Sequence, residues 1–583
     1  MGRLGKGEQV ERQTHAATAP ALIAIALATI AVQLWRVLCG LDFNDEMQYY
    51  GELVSLLDHN RLFATDLFLQ QNVDLLLYPI LKPYTLLAGH WGLIVAVRGL
   101  FAALVLAVAW RTYASLRSVG TAAIPAALAG LAITFALPLT NVYSVSYNTV
   151  SLALFGLCLA EFVDWLGRNG RPRLWFWAVV LPLMLLVYPP LGVVVSAVAV
   201  ARLLAAGQRA WLWPALWRGA LASAVLLALY FCFADLADLG QALAFSKAFG
   251  VAQVIRGERF YLKVLAFVLV GVPAGLALAR SGRLAGWLDR PVLRWLGLAA
   301  VALGAGLACT FAVGRAEWQF PLAALALVLT TLAALLVAVT PMQVPAVAWV
   351  ACLYVAAGAT MAVTSGNGFR QIQWPSLAAV PALTGLLWLH SERIAAARRG
   401  PWRWAPPLLT ASSLALALEL FLLHPYGDQP LYRSTQPVVG APALAGLYAT
   451  PEKAAAVAAA RAALGDVVPG SHVMVVGAQP WLYQALDLWP DTDMIFMHPY
   501  SAIEGQELLG ARLLQRRPAV ILVAAETSAP VHTAVVQLLQ TYQCQTRRTP
   551  ADLGDAHKRL QTFFDLVPDL QVCRPKPPAK PAP

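Results

Sequence analysis

The sequence predicts an α-helical polytopic membrane protein of about 13 transmembrane helices with a small C-terminal α/β domain, counting on a spanning length of ~20 residues. Three observations carry that reading. Of 583 residues, 59% are hydrophobic and only 13% charged, and mean hydropathy is +0.63, far from ordinary soluble domains. Apolar runs long enough to cross a bilayer recur along most of the chain, without the alternation of a transmembrane barrel. From residue 424 onward the pattern changes to short apolar strands alternating with helices.

The first apolar run, 20–38, follows a basic N-terminus with Arg3, Lys6 and Arg12 and continues through Gln33, Trp35 and Arg36 without a small-residue cleavage site. It reads as a retained helix over 18–38, followed by a long outside loop to residue 90. Spans follow near 92–113, 119–139 and 148–166, then two shorter segments, 174–188 and 190–206, broken at Tyr188-Pro189-Pro190. Further spans are expected near 211–233, 260–279, 292–313, 320–340, 344–363, 375–390 and 404–423. Basic clusters such as Arg168 to Arg173 and Arg398-Arg399 fall between apolar runs, as the positive-inside rule requires of cytoplasmic loops. That placement accounts for the net charge of +11 and excludes a nucleic-acid partner, since no zinc-finger spacing or basic helix-turn-helix accompanies it. An odd number of spans from a cytoplasmic N-terminus puts the C-terminal region on the periplasmic side of a bacterial inner membrane.

The expected division is a transmembrane domain over 1–423, a periplasmic α/β domain over 424–573 and a disordered tail over 574–583, rich in Pro, Lys and Ala. In the α/β domain, 471–477 reads as a buried strand, 480–488 as helix, 493–497 as a short strand, 503–515 as helix, 519–524 as strand and 530–542 as helix, giving a mostly parallel sheet. Cys544 and Cys573 both lie in this domain, where an oxidising compartment permits either a disulfide or two free thiols.

The chemistry is expected in the first outside loop, Leu41-Asp42-Phe43-Asn44-Asp45-Glu46-Met47-Gln48-Tyr49-Tyr50. Asn44 suits an N-cap, and acids at the next two positions suit the positive end of a helix dipole. Met47, Tyr50, Val54 and Leu57 share one face, while Asp45, Gln48, Glu52 and Ser55 share another. This spacing predicts an amphipathic helix lying along the membrane, apolar face down. First-turn acids are common in any helix, so spacing alone is met equally by a capped surface helix without a catalytic role.

The acidic pair just after the first helix, with Tyr49-Tyr50 behind it, resembles the GT-C superfamily of integral-membrane glycosyltransferases. That superfamily includes protein O-mannosyltransferases and lipid A aminoarabinose transferases. The resemblance covers nearly the whole chain as topology, but its specific part is this one loop. It implies a GT-C-like fold and transfer of a sugar, with inversion, from a polyprenyl-phosphate-linked sugar to a hydroxyl of a lipid, glycan or protein acceptor. It further implies that Asp45 is the base, with Glu46 orienting it, binding acceptor or helping to hold a metal. The residues themselves leave Glu46 open as the base; a divalent metal is compatible with the loop but not required by it.

A departing lipid phosphate calls for cations near the outer face. Candidates are Lys82 and Arg98, the outside group Lys247, Arg256, Arg259 and Lys263, and Arg370 in a glycine-containing segment. Taken singly each reads more as a contact to membrane-lipid headgroups than as a donor ligand, whereas as a set, with at least one engaged, they favour a donor-phosphate site. Tyr49, Tyr50 and Asn148 are the candidate substrate contacts, with Asn141, Tyr143 and Tyr147 in the same outside turn as Asn148. Asp66 and Asp74 are expected to solvate lateral helices, His59 and His90 to be isolated polar residues, and Glu419 to sit near the outer end of the last helix. Gly477-Ala478-Gln479-Pro480 follows a strand without a phosphate-binding glycine pattern. Two rival classes remain. A transporter or flippase would need inverted repeats and mid-membrane charges, and a non-catalytic scaffold of envelope polysaccharide assembly would use the acids only as caps.

Overall fold

The computed structural model describes residues 6–140, 142–167, 172–246 and 344–364, parts of 374–386 and 414–425, and then 428–477, 479–495, 497, 506–524, 529–548 and 569–577. The expected spans at 260–279, 292–313 and 320–340 lie outside the described residues, as do Lys247, Arg256, Arg259, Lys263, Arg370, Asn141 and Glu419.

The membrane half begins with α1 (Lys6–Leu38), followed by α2 (Asp45–His59) and α3 (Asp74–Ala88) in the segment expected to be the first outside loop. Then come α4 (Leu93–Ser118), α5 (Ala123–Ala136), α6 (Tyr147–Gly167), α7 (Leu174–Val187), α8 (Pro189–Ala205), α9 (Leu212–Phe231) and α10 (Val344–Thr364). Among the described residues three helices are long and apolar enough to cross a membrane: Leu93–Ser118, Tyr147–Trp165 and Arg209–Phe231. Shorter apolar helices include Leu22–Leu38, Ala123–Ala136, Leu174–Val187 and Pro189–Ala205, the last two divided at Tyr188 where Pro189 forbids continuation.

The helix α4 is the centre of this half. Its buried Val97, Phe101, Val105 and Val108 recur at helical spacing, while Trp110 on another face is exposed. Small residues let its neighbours approach. A Cβ on Gly130 of α5 would lie 3.0 Å from the Ala109 carbonyl, and one on Gly156 of α6 would lie 2.8 Å from Val108. At the end of α4 expected in the cytoplasm, Arg111 pairs with Glu161 and Asp164 of α6 at 2.8 and 2.5 Å, and Arg173 reaches the same acids.

The C-terminal part opens with a two-stranded antiparallel ribbon of β1 (Gln436–Pro437) and β2 (Tyr448–Ala449), then α11 (Pro451–Ala463), capped by the Thr450 side chain. A five-stranded sheet follows, built from β3 (His472–Val476), β4 (Trp489–Pro490), β5 (Val520–Val523), β6 (Tyr542–Arg548) and β7 (Asp569–Pro575) in the order β4-β3-β5-β7-β6. The helices α12 (Trp481–Leu486), α13 (Gln506–Leu513) and α14 (Ala529–Leu539) connect it. The sheet is mixed: β3 runs parallel to β4 and β5, whereas β7 is antiparallel to both β5 and β6.

Three expectations need correcting here. Among the described residues of 493–497 no strand forms. Thr492 Oγ1 binds the Met494 backbone at 3.1 and 3.2 Å, and the Ile495 N–H donates to Asp66 at 3.2 Å, so this backbone serves local and loop contacts instead of a ladder. The chain past 573 is not all tail, because β7 continues to Pro575 and the Lys576 N–H donates to Thr541 O. Of the two alternatives left open for Cys544 and Cys573, the disulfide is the one that forms, across β6 and β7, and needs no correction.

The third correction concerns α2. Its polar face was expected to meet water, yet every residue from Glu46 to Leu57 is buried, because the C-terminal part lies on the helix. Phe43 stacks on Trp481 with ring centroids 4.6 Å apart, Gln484 donates to the Met47 carbonyl at 3.3 Å, and Gly40 N–H donates to Tyr448 O at 2.8 Å. Gly51 is the closest point of approach, since a Cβ there would meet the Ile495 side chain at 3.1 Å. Gly51→Val therefore forces α2 from the C-terminal part, and overpacking of this kind costs about 1–3 kcal/mol. The thermal midpoint of the purified protein in detergent is expected to fall, with accelerated proteolysis confined to the C-terminal part.

Candidate functional site around the start of α2

The turn from Cys39 to Glu46 is built by side chains from four parts of the chain. The cap of α2 is not Asn44, whose side chain makes no capping bond. Asp42 takes that role, with Oδ1 accepting from Asn44 N at 3.2 Å and Oδ2 from Glu46 N at 3.1 Å. The short Asp side chain reaches the two and four positions ahead that an Asx turn offers. Asp45, between those two donors, is thereby fixed at the first helical position.

Glu46 points inward. Arg98 of α4 grips it with two parallel bonds, Nε to Oε1 at 2.7 Å and Nη2 to Oε2 at 2.6 Å, with side chains 1% and 2% exposed. The third nitrogen of Arg98 donates to the Gly40 carbonyl at 3.0 Å and the Val37 carbonyl at 3.3 Å. Arg36 donates to the Cys39 carbonyl at 2.5 Å and lies over the Tyr143 ring. From the C-terminal side Lys453, fully buried on α11, pairs with Asp428 at 2.8 Å and donates to the Leu41 carbonyl. Asp428 Oδ2 accepts from Leu41 N at 2.6 Å. Gly40 sits where these groups converge, at φ +92°, and a Cβ there would collide with Arg36 and Asp428.

Asp45 differs from Glu46 in keeping partial exposure. It acts electrostatically on Asp42 and on Tyr147 at the start of α6. Tyr147 stands edge-on to Tyr49 at 6.1 Å and parallel to Tyr188 at 6.0 Å, and the Tyr188 hydroxyl meets Thr364 Oγ1 at 2.8 Å. Asp45 thus lies beside an aromatic row contributed by α2, α6 and the break between α7 and α8. Burial first, and then Asp45, push the Asp42 carboxyl up to about 8 against the opposing pull of Lys453.

The structure disperses the other candidates. Tyr50 turns away from Asp45, and its buried hydroxyl has no hydrogen-bond partner among the described residues. Asn148 is buried beside Tyr147. Lys82 is half-buried and donates to the Leu57 carbonyl, near the far end of α2. Arg98 is committed to Glu46 rather than presented at the surface.

Asp66 and Asp74 do not solvate lateral helices. They are buried with Glu52, which accepts from Gln48 at 2.9 Å and Gln70 at 2.7 Å. Burial raises Asp66 to about 7, although the Phe68 and Ile495 N–H groups oppose it, and burial raises Asp74 well above the carboxylate range. Burial, with Asp66 and Asp74 adding to it, does the same to Glu52. His90 is not isolated. It stands between Asp487 at 3.8 Å and Asp58 at 3.6 Å, which raise it to about 9 and join the end of α2 to the C-terminal part. His59 leans on Trp489, and burial lowers it.

Sequence reasoning missed Asp42, Arg36, Asp428 and Lys453. For Asp42 the signal was present, an Asp two and four residues before Asn44 and Glu46. For Lys453 and Asp428 the partners are hundreds of residues away, and no local pattern marks them.

No protein-family model matches the chain, and no curated protein matches it in sequence. Among solved structures it is similar to ArnT from Cupriavidus metallidurans in the apo state, at 14% identity and TM-score 0.40, over 96% of this chain and 98% of that one. The same protein bound to undecaprenyl phosphate gives 14% identity and TM-score 0.40 over 97% and 99%.

The raised groups predict a pH dependence of one sign. A group whose folded pKa lies above its unfolded value contributes stability that is complete below the unfolded value and is lost as pH rises through the folded one. For Asp66 and Asp42 the losses end near about 7 and about 8, and for His90 the window runs from 6.5 to about 9. The thermal midpoint in detergent is expected to decline steadily from mildly acid to alkaline pH. His90→Gln should flatten that curve within the histidine window alone.

Proposed function

We propose that the protein is an inverting glycosyltransferase of GT-C type. It moves a sugar from a polyprenyl-phosphate donor to an acceptor hydroxyl at the periplasmic face of the inner membrane, in modification of envelope glycan or glycolipid. The observation that carries this reading is the division of labour within the acidic pair. Glu46 has both oxygens held by Arg98 in a buried pair, while Asp45 keeps access to the outside at a helix start beside the row Tyr49, Tyr147 and Tyr188. A carboxylate at such a position is placed to accept a proton, and flat aromatic faces suit sugar rings.

In the reaction Asp45 takes the proton of the acceptor hydroxyl as its oxygen attacks the anomeric carbon. The bond from that carbon to the donor phosphate breaks, and its electron pair leaves with the polyprenyl phosphate. Glu46 positions Asp45 through the backbone of the first turn. Lys82 is the described cation on the outside loop that we assign to the donor phosphate, after release from the Leu57 carbonyl. Lys247, Arg256, Arg259, Lys263 and Arg370 are proposed to complete that site. A divalent metal is not needed for any of these steps.

General-base catalysis contributes about 10²–10⁴ in rate. Incubating the membrane-purified protein with a panel of polyprenyl-phosphate sugars and acceptor lipids, and measuring polyprenyl phosphate release, is expected to show turnover. Asp45→Asn should lower kcat by about 10²–10⁴ with little change in donor KM. Wild-type-like release by Asp45→Asn contradicts the assignment.

A further inference from the structure

We propose that, whatever reaction the protein performs, Arg218 between Trp175 and Trp217 binds the headgroup of an anionic phospholipid. Between Asp164 and Asp235 the chain carries no acid and six arginines, Arg168, Arg171, Arg173, Arg202, Arg209 and Arg218. Arg202 lies in the last turn of α8 and Arg209 just before α9. Arg218 instead lies inside α9, in the run Arg209–Phe231 that is long and apolar enough to cross a membrane. Counted from Leu212 it is about 9 Å along the helix axis. An arginine at that depth is costly unless its charge reaches the interface or meets an opposite charge.

The side chain of Arg218 turns back toward the start of its helix, as long helical side chains do, and Nη1 donates to the Pro214 carbonyl at 3.1 Å. Its Nε is buried without a hydrogen-bond partner among the described residues, and no carboxylate among them pairs with the guanidinium. Two indole rings hold it instead. The guanidinium carbon is 5.2 Å from the ring centroid of Trp175 on α7 and 5.0 Å from that of Trp217. These rings stand at 79° to each other with centroids 6.4 Å apart, so they form two walls of a corner around the charge. Ring faces attract the cation but do not satisfy its forked donors, which match the oxygens of a phosphate. Trp175 is 60% exposed and Trp217 44%, so the corner is open to a ligand.

The rest of α9 says what kind of phosphate. Leu221, Val225 and Leu229 follow Arg218 at spacings of 3, 4 and 4, on one face of the helix, and all three are at least half exposed. From Arg218 to Leu229 that stripe runs about 16 Å, close to half of the roughly 30 Å hydrocarbon core of a bilayer. A charge at one end and an apolar track the length of one leaflet fit an amphiphile, with its phosphate at Arg218 and an acyl chain along the track. A free phosphate would leave the track uncovered. A zwitterionic lipid would cover it but bring a second cation into a region that holds only arginines. An anionic phospholipid satisfies both, and tryptophan beside arginine suits the level of its headgroup.

The test is native mass spectrometry of the full-length protein in detergent, titrated with dioleoyl phosphatidylglycerol, dioleoyl phosphatidylcholine and glycerol phosphate. One phosphatidylglycerol site, about tenfold tighter than any phosphatidylcholine or glycerol phosphate site, is expected. Arg218→Gln should weaken it about tenfold, Trp217→Leu roughly threefold, and Arg218→Lys, which keeps the charge without the fork, by an amount between wild type and Arg218→Gln. Arg117→Gln, which removes an exposed charge at the end of α4, should leave it unchanged. Equal binding of phosphatidylcholine overturns the proposal, and so does equal binding of glycerol phosphate. Equal losses in Arg117→Gln and Arg218→Gln would show diffuse attraction and overturn it as well. Should Arg218→Gln fail to purify folded, Trp217→Leu and Arg218→Lys carry the comparison, and binding within about twofold of wild type in both is the contrary result.

Discussion

Two opposite charges lie almost without exposure between α2 and α4, held by a pair of parallel hydrogen bonds from Arg98 to Glu46. Burying either alone would cost several kcal/mol, so each requires the other. Because Arg98 also donates to the carbonyls of Val37 and Gly40, the pair fixes the end of α1, the turn after it and the first turn of α2 against the central membrane helix. The orientation of Asp45 follows from that junction. A pairing that satisfies both carboxylate oxygens of one acid leaves its neighbour to face outward, and the asymmetry between two adjacent acids is what the proposed chemistry uses.

The C-terminal part completes the turn. Lys453 and Asp428 reach across the chain to the backbone of Leu41, and Trp481, Gln484 and Ile495 cover α2. This cover converts a loop that would otherwise be hydrated into a low-dielectric environment. That change is why Asp42, Glu52, Asp66 and Asp74 all hold protons more tightly than free carboxyl groups. The sheet's role on this view is mechanical and electrostatic, keeping water from the base of the site while the edge at Asp45 stays open.

Much of this was legible in the residues. Apolar length predicted the helices at 92–113 and 148–166, and Pro189 predicted the break between α7 and α8, because spanning length and proline sterics are local properties. The strands at 472–476 and 520–523 were legible from short apolar runs. The antiparallel strands β6 and β7 were not, since Gln543 to Arg548 carries no apolar alternation and pairs with a strand that the disulfide joins to it 29 residues along the chain. In the site, the acidic pair was visible as a capped helix start. Which acid faces inward was not, because that depends on Arg98, which lies 52 residues from Glu46. The same holds for the misreading of Asp66 and Asp74 as solvated. Their burial is imposed by packing against distant segments, including residues such as Ile495, over 400 positions away.

The central claim is that Glu46 is there for Arg98 and Asp45 for the chemistry. Removing both members of a buried ion pair in favour of apolar side chains of similar size is often neutral or stabilising, whereas removing one is not. The most direct measurement is polyprenyl phosphate release by the double variant Glu46→Leu with Arg98→Met. Because the pair also positions Asp45, turnover that is reduced but stays above that of Asp45→Asn, from a protein that purifies folded, is the predicted result. A folded double variant that turns over like wild type would show that the pair does not position Asp45, and one less active than Asp45→Asn would place the chemistry on Glu46; either contradicts the account.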